Sequence, residues 1–261
     1  MGGEKAQVTI FVIVGILIVV AVMFFLLFRQ GMIPGISGKP EENPAGFLET
    51  CIEDKLIGGV EKISSQGGYI ENSLNKTFKF NDENEFTDIS YLCYNSNNYF
   101  PCINQEPVLI QHLKSEVKDY ISDDFQKCFD NLVSSLDKKG YIVDVTYNGF
   151  EVEFAEKKII INIDGKIILT KSDETTTQEN LEIIIPSRFY DLAIVVQEIV
   201  SQEAKSCDFE YLGFMVFYPK YNIDKFTTGE GIKIYTIQYK ETQEEFKFVI
   251  RGCVIPPGVF A

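Results

Sequence analysis

The arrangement of apolar and polar positions divides the chain into an apolar opening and a longer patterned remainder. Val8 to Phe28 is a run of 21 residues without a charge. At 1.5 Å per residue such a helix is about 31 Å long, the thickness of a bilayer's hydrocarbon core. It is apolar all round and flanked by Lys5 and Arg29, so a transmembrane helix is expected over 8–29. Gln30 to Asn43 then holds three glycines and two prolines, which break a helix and mark a linker over 30–44. A tether of that length reaches roughly 20 Å.

Beyond it the periodicity alternates between 3.6 and 2. Phe47, Leu48, Cys51, Ile52, Leu56, Val60 and Ile63 recur at helical spacing, with Gly58-Gly59 weakening the second half. Thr77–Phe80 and Ile89–Tyr94 read as short strands among polar loops. Pro107 can open a long helix whose stripe runs Leu109, Leu113, Val117, Ile121, Phe125, Cys128, Leu132 and Leu136. Five strands are expected between Tyr141 and Ile185, with Asn148-Gly149 and Asp164-Gly165 as two-residue hairpin turns. Pro186 and Ser187 open another helix, with Leu192, Val195, Val196, Ile199 and Val200 inward. Tyr211–Pro219, Ile232–Lys240 and Glu245–Gly252 read as strands separated by a polar stretch from Lys220 to Gly231. The expected architecture is α+β: a leader at 1–7, one transmembrane helix, the linker, and a domain at 45–261. In that domain amphipathic helices pack on mainly antiparallel sheet, with a possible sub-boundary near 140.

The short segment before the apolar run has its own pattern. Lys5-Ala6-Gln7-Val8-Thr9 resembles the class III signal peptide of archaeal pilins and archaellins. That resemblance implies a cut between Ala6 and Gln7 on the cytoplasmic side, leaving the helix on the mature chain. The sequence departs from the pattern at Phe11, where those proteins usually have a glutamate. That departure and the Gly/Pro linker count against a filament subunit, in which one helix normally runs unbroken into the head. The start also resembles that of uncharacterised archaeal proteins with one anchor helix and a large domain.

Charge and cysteines then assign sides. With 24 Lys and Arg against 38 Asp and Glu, the net charge is −14, so phosphate backbones are repelled and nucleic acid is excluded as a partner. The flanking basic residues are balanced and do not orient the helix. All six cysteines lie after it, with no C-x-x-C pair and a single histidine, His112. Disulfides outside the cell fit better than zinc or redox chemistry. Six cysteines allow fifteen pairings. Element positions favour Cys51 with Cys128 across two helices and Cys93 with Cys102 around a polar turn, leaving Cys207 with Cys253. The implied location is the cell membrane, single pass, with the domain extracellular. The partners would be the bilayer, and other proteins or further copies of the chain at the surface.

Candidate chemistry is sparse. No nucleophile elbow, phosphate loop, zinc helix or dinucleotide fingerprint occurs in the chain. His112 lacks a catalytic trio in the sequence. Glu151 and Glu153 share a strand face, as a glycosidase pair would, and an exposed sheet face explains them better. The acidic stretch Asn81 to Glu85 with Asp88 lacks a calcium loop's spacing. Asn75-Lys76-Thr77 is an N-glycosylation sequon. No catalytic, cofactor or metal residue is therefore assigned. A structural or binding role at the surface is expected ahead of a pilin-like subunit and an extracytoplasmic hydrolase.

Overall fold

A computed structural model of the chain describes residues 43–80 and 84–255. The expected leader, transmembrane helix and most of the linker lie outside the described residues, and so do Ala6 and Gln7. Among the described residues no helix is long and apolar enough to cross a membrane. From Ala45 onward the chain is one compact unit, and it is α+β.

Helix α1 (Pro44–Ser65) and helix α2 (Leu109–Lys138) bracket three strands, β1 (Asn75–Phe78), β2 (Thr87–Tyr94) and β3 (Ile103–Asn104). The meander β4 (Ile142–Ala155), β5 (Lys158–Lys171) and β6 (Glu174–Pro186) follows. Helices α3 (Phe189–Ser206) and α4 (Tyr211–Phe217) then lead into β7 (Tyr221–Thr227), β8 (Lys233–Tyr239) and β9 (Glu245–Arg251).

α1 continues unbroken through Gly58-Gly59. The reason is tertiary: a Cβ at Gly59 would collide with the Tyr120 ring of α2, so the glycine permits close helix approach while Val60 and Ile63 stay buried. The α2 stripe is buried as its spacing requires, with Phe129 added. Residues on both sides of position 140 share one buried cluster; Phe125 and Phe150 rings, for example, lie 4.5 Å apart.

The expected five strands of the central region are three long ones. Asn148-Gly149 and Asp164-Gly165 do not close hairpins. They face each other within β4 and β5, where the register shifts between Tyr147 and Gly149, and Gly149 supplies a φ of +122°. A matching irregularity separates β5 from β6 between Ile163 and Lys166, opposite Asn180 at φ +53°. The bulge changes parity on β4, so Val143, Val145 and Tyr147 point to the same side as buried Phe150, Val152 and Phe154. Pairing along the full strand sets Phe150, Val152 and Phe154 beside Ile163, Ile161 and Ile159. That single buried face outweighs the local turn preference of the two dipeptides. The actual turns are at Glu156-Lys157 and at Ser172-Asp173, the latter pair with φ of 50° and 69°.

The other sheet has the order β1-β2-β9-β8-β7, with β3 on β2. It is mixed, because β2 and β9 run parallel. Two expectations fail here. Tyr211–Pro219 is not a strand: Glu210 accepts from the Gly213 N–H at 3.1 Å and starts the short helix α4, none of whose residues is fully buried. The polar stretch after Lys220 contains β7, whose Tyr221 and Ile223 are buried while Asn222 and Asp224 face outward. An edge strand with one wet face reads as a loop by composition. α3 covers the inner face of this sheet, and a smaller apolar cluster of Ile89, Tyr91, Ile232, Ile234 and Val249 lies on the outer face.

Candidate functional site

Disulfides join Cys51 to Cys128, Cys93 to Cys102 and Cys207 to Cys253, with Cα separations of 5.9, 5.2 and 5.8 Å. These are the pairs the element positions favour, and no cysteine is free. On the chain-entropy model the 77-residue separation of the first contributes about 4.5 kcal/mol and the nine-residue separation of the second about 2.7 kcal/mol.

The largest concavity among those described is a groove of about 830 Å³ between the second half of α1, the start of α3 and the β8–β9 turn. Its floor is Leu56, Val60, Ile159, Ile185, Phe189 and Leu192, and its rim is polar. The volume suits a ligand, yet several of the rim's polar groups are bonded within the protein. Ser64 and Ser65 hydroxyls donate to their own helix, to the Glu61 and Lys62 carbonyls. Ser187 donates to Glu244 at 2.7 Å, and the Arg188 N–H donates to both Glu244 oxygens at 2.9 and 2.8 Å. Glu244, 56 residues away in sequence, thus caps α3, while the Ser187 hydroxyl accepts the Phe189 N–H at 3.1 Å. The Arg188 guanidinium lies 4.3 Å from the Tyr239 ring centre and 3.3 Å from Glu241.

Deeper on the inner face is a polar cluster the sequence did not announce. Glu203 is 1% exposed. Its carboxylate accepts from Lys233 Nζ at 2.9 and 2.6 Å and from the Tyr235 hydroxyl at 2.5 Å. Lys233 also donates to the Cys207 carbonyl at 2.5 Å, beside the Cys207–Cys253 bridge. Burial, reinforced by the Glu203 charge, holds the Tyr235 phenol far above its ordinary value. The signal available was position: Glu203 falls four residues after Ile199 and three after Val200, on the helix's apolar face. Tyr221 is pushed up to about 12, first by burial and then by Asp191.

The sequence-derived candidates are dispersed. His112 Nε2 donates to the Gly68 carbonyl at 2.8 Å; its ring packs 4.3 Å from Tyr69, and its side chain is 16% exposed. It therefore latches the α1–β1 turn onto α2, with Glu116 accepting the Ile70 N–H at 2.9 Å. Burial and then the Glu106 carboxylate raise the Tyr69 phenol. Glu153 and Glu151 are occupied by Lys114 and Lys118 of α2. The Asn75 amide donates to the Asn72 carbonyl at 2.6 Å, and the sequon's Thr77 hydroxyl donates to Asp88 at 2.5 Å. Asn81 to Glu83 lie outside the described residues. Among the described residues no group of His, Cys, Asp and Glu could hold a metal ion.

No family model, curated protein or solved structure matches this chain. Its function is argued from its own chemistry.

Proposed function

We propose that this is a single-pass membrane protein with an acidic, disulfide-braced α+β domain outside the cell, where it serves a binding or structural role. The observation that carries the reading is the complete pairing of six cysteines into three disulfides, a state that persists in oxidising surroundings and not against cytosolic reductants. The 21-residue apolar run supplies the anchor in this reading, and the Ala6/Gln7 pattern supplies its processing.

Binding is preferred to hydrolysis because His112 is committed to a backbone carbonyl and the Ser64 and Ser65 hydroxyls donate to their own helix. The hydroxyl that meets a carboxylate in the groove, Ser187 with Glu244, is engaged in starting α3, where its oxygen also accepts the Phe189 N–H at 3.1 Å. A pilin-like subunit is the second reading, favoured by the Lys5–Thr9 pattern; it predicts ordered fibres in negative-stain micrographs of isolated membranes. The primary test is protease added to intact cells. The domain should be digested without lysis, and protection until lysis would place it inside and remove the proposed role.

A further inference from the structure

The outer face of β7, β8 and β9 carries a row of polar side chains, of which Gln238 and Thr236 make no side-chain bond among the described residues. Cross-strand register sets Asn222, Gln238 and Glu245 in one row and Asp224, Thr236 and Lys247 in the next. Alternation along each strand turns all six away from the core. They line an open trough of about 520 Å³. Aromatic rings close it at both sides. Phe226, 45% exposed, stands with Phe80 at one wall, both rings packed on Phe78 at 5.1 and 4.8 Å. Tyr211 closes the β7 edge beneath the Lys225 amine, 5.0 Å from its ring centre.

Both amines there are paired with carboxylates, which leaves the Asp224 carboxylate over. Lys247 is 3.0 Å from Glu245 and lies over the Phe80 ring, while Lys225 is 2.8 Å from Asp208. The Asn222 amide makes only a long 3.4 Å contact with Asp224. The Gln238 amide and the Thr236 hydroxyl bond to no side chain or backbone group among the described residues. What remains is a set of donors and acceptors, the Asn222 and Gln238 amides, the Thr236 hydroxyl and the Asp224 carboxylate, with one negative charge and no unpaired cation, between apolar rings. Phosphates, nucleotides and acidic peptides find no free cation. Apolar ligands find a polar floor. A sugar ring presents hydroxyl pairs at its edge and C–H groups on its face, which matches planar amides flanked by aromatic walls.

The geometry points to a binding site for a neutral oligosaccharide chain in this trough. It specifies the binding role proposed above and rests on that reading for its exposure to the exterior. Gln238, Asn222 and Asp224 bond to sugar hydroxyls, and Phe226 with Tyr211 packs on sugar faces.

The test applies the full chain, purified in detergent, to an array of neutral hexose and N-acetylhexosamine oligomers beside sulfated and uronic-acid glycans. Each retained glycan is then titrated by calorimetry. Neutral oligomers should be retained, and Gln238→Ala and Phe226→Ala should each weaken binding about tenfold or more. Gly58→Trp, which obstructs the separate groove at α1, should leave binding unchanged. Matched circular dichroism and absence of reactive thiols show that each variant is folded. Retention of anionic glycans alone, of none, or of neutral ones equally well by the Gln238→Ala/Phe226→Ala double variant overturns the site. Saccharide binding by a chain that proves to be intracellular would keep the site and remove the surface role. A surface chain blind to neutral glycans would do the reverse.

Discussion

Tyr235 and Thr236 are neighbours on one strand and occupy opposite chemical worlds. Tyr235 faces α3, is fully buried, and gives its hydroxyl to Glu203. Thr236 faces outward into the trough beside Gln238 and Lys247. On the inner face Glu203, Lys233 and Tyr235 are bonded to one another, because an unpaired donor or charge removed from water costs several kcal/mol. On the outer face water fills that need, so polar groups remain available to a ligand. The larger groove at α1 resembles the inner face along its α3 side, where Ser187 and Glu244 are engaged in starting α3. Volume alone therefore does not mark the site; uncommitted hydrogen-bonding capacity does.

The largest loss of stability is expected of Glu203→Ala. It strands Lys233 and the Tyr235 hydroxyl and should lower stability by about 3 kcal/mol, read from urea unfolding with disulfides intact. Loss below about 1 kcal/mol would mean that the inner cluster is solvated like the outer face. Tyr235→Phe removes a single donor to the carboxylate and should cost about 2 kcal/mol, checked the same way.

Alkaline pH sharpens the same contrast. Tyr221 is raised from the ordinary tyrosine value to about 12 in the folded state, so the folded chain holds its proton longer than the unfolded one. Its stabilising contribution is full below pH about 10 and is lost as pH rises toward about 12. Native protein monitored by phenolate absorbance should therefore show Tyr69, Tyr221 and Tyr235 ionising late, with burial the leading cause for each. Ionisation of all thirteen tyrosines together near pH 10 would contradict it. The smallest effect is expected outside: Gln238→Ala should change stability by no more than about 0.5 kcal/mol, measured by thermal unfolding, while altering saccharide binding.

Much of the scaffold was legible because it follows simple periods. The α2 stripe from Leu109 to Leu136 and the α3 stripe from Leu192 to Val200 are buried as their spacing indicates. Cysteine positions on two helices and around one turn indicated pairs that the structure contains. The misses have a common cause. Asn148-Gly149 and Asp164-Gly165 carry strong turn preferences, but the isoleucines of β5 gain more by continuing along one buried face. Tyr211–Phe217 alternates poorly and is apolar throughout, so composition alone could not separate a strand from a short helix started by Glu210. β7 was hidden because three of its seven residues, Asn222, Asp224 and Lys225, are polar ones that line the trough. The candidate site was consequently not visible before the register was known: Asn222, Gln238 and Glu245 are neighbours only through strand pairing.

The central claim, an anchored domain locked by disulfides outside the cell, is tested most directly by the intact mass of the protein from native membranes after thiol alkylation, with and without reductant. The account predicts no alkylation without reductant and six additions with it, on a chain that begins at Gln7. Six additions to the unreduced, denatured protein would contradict it.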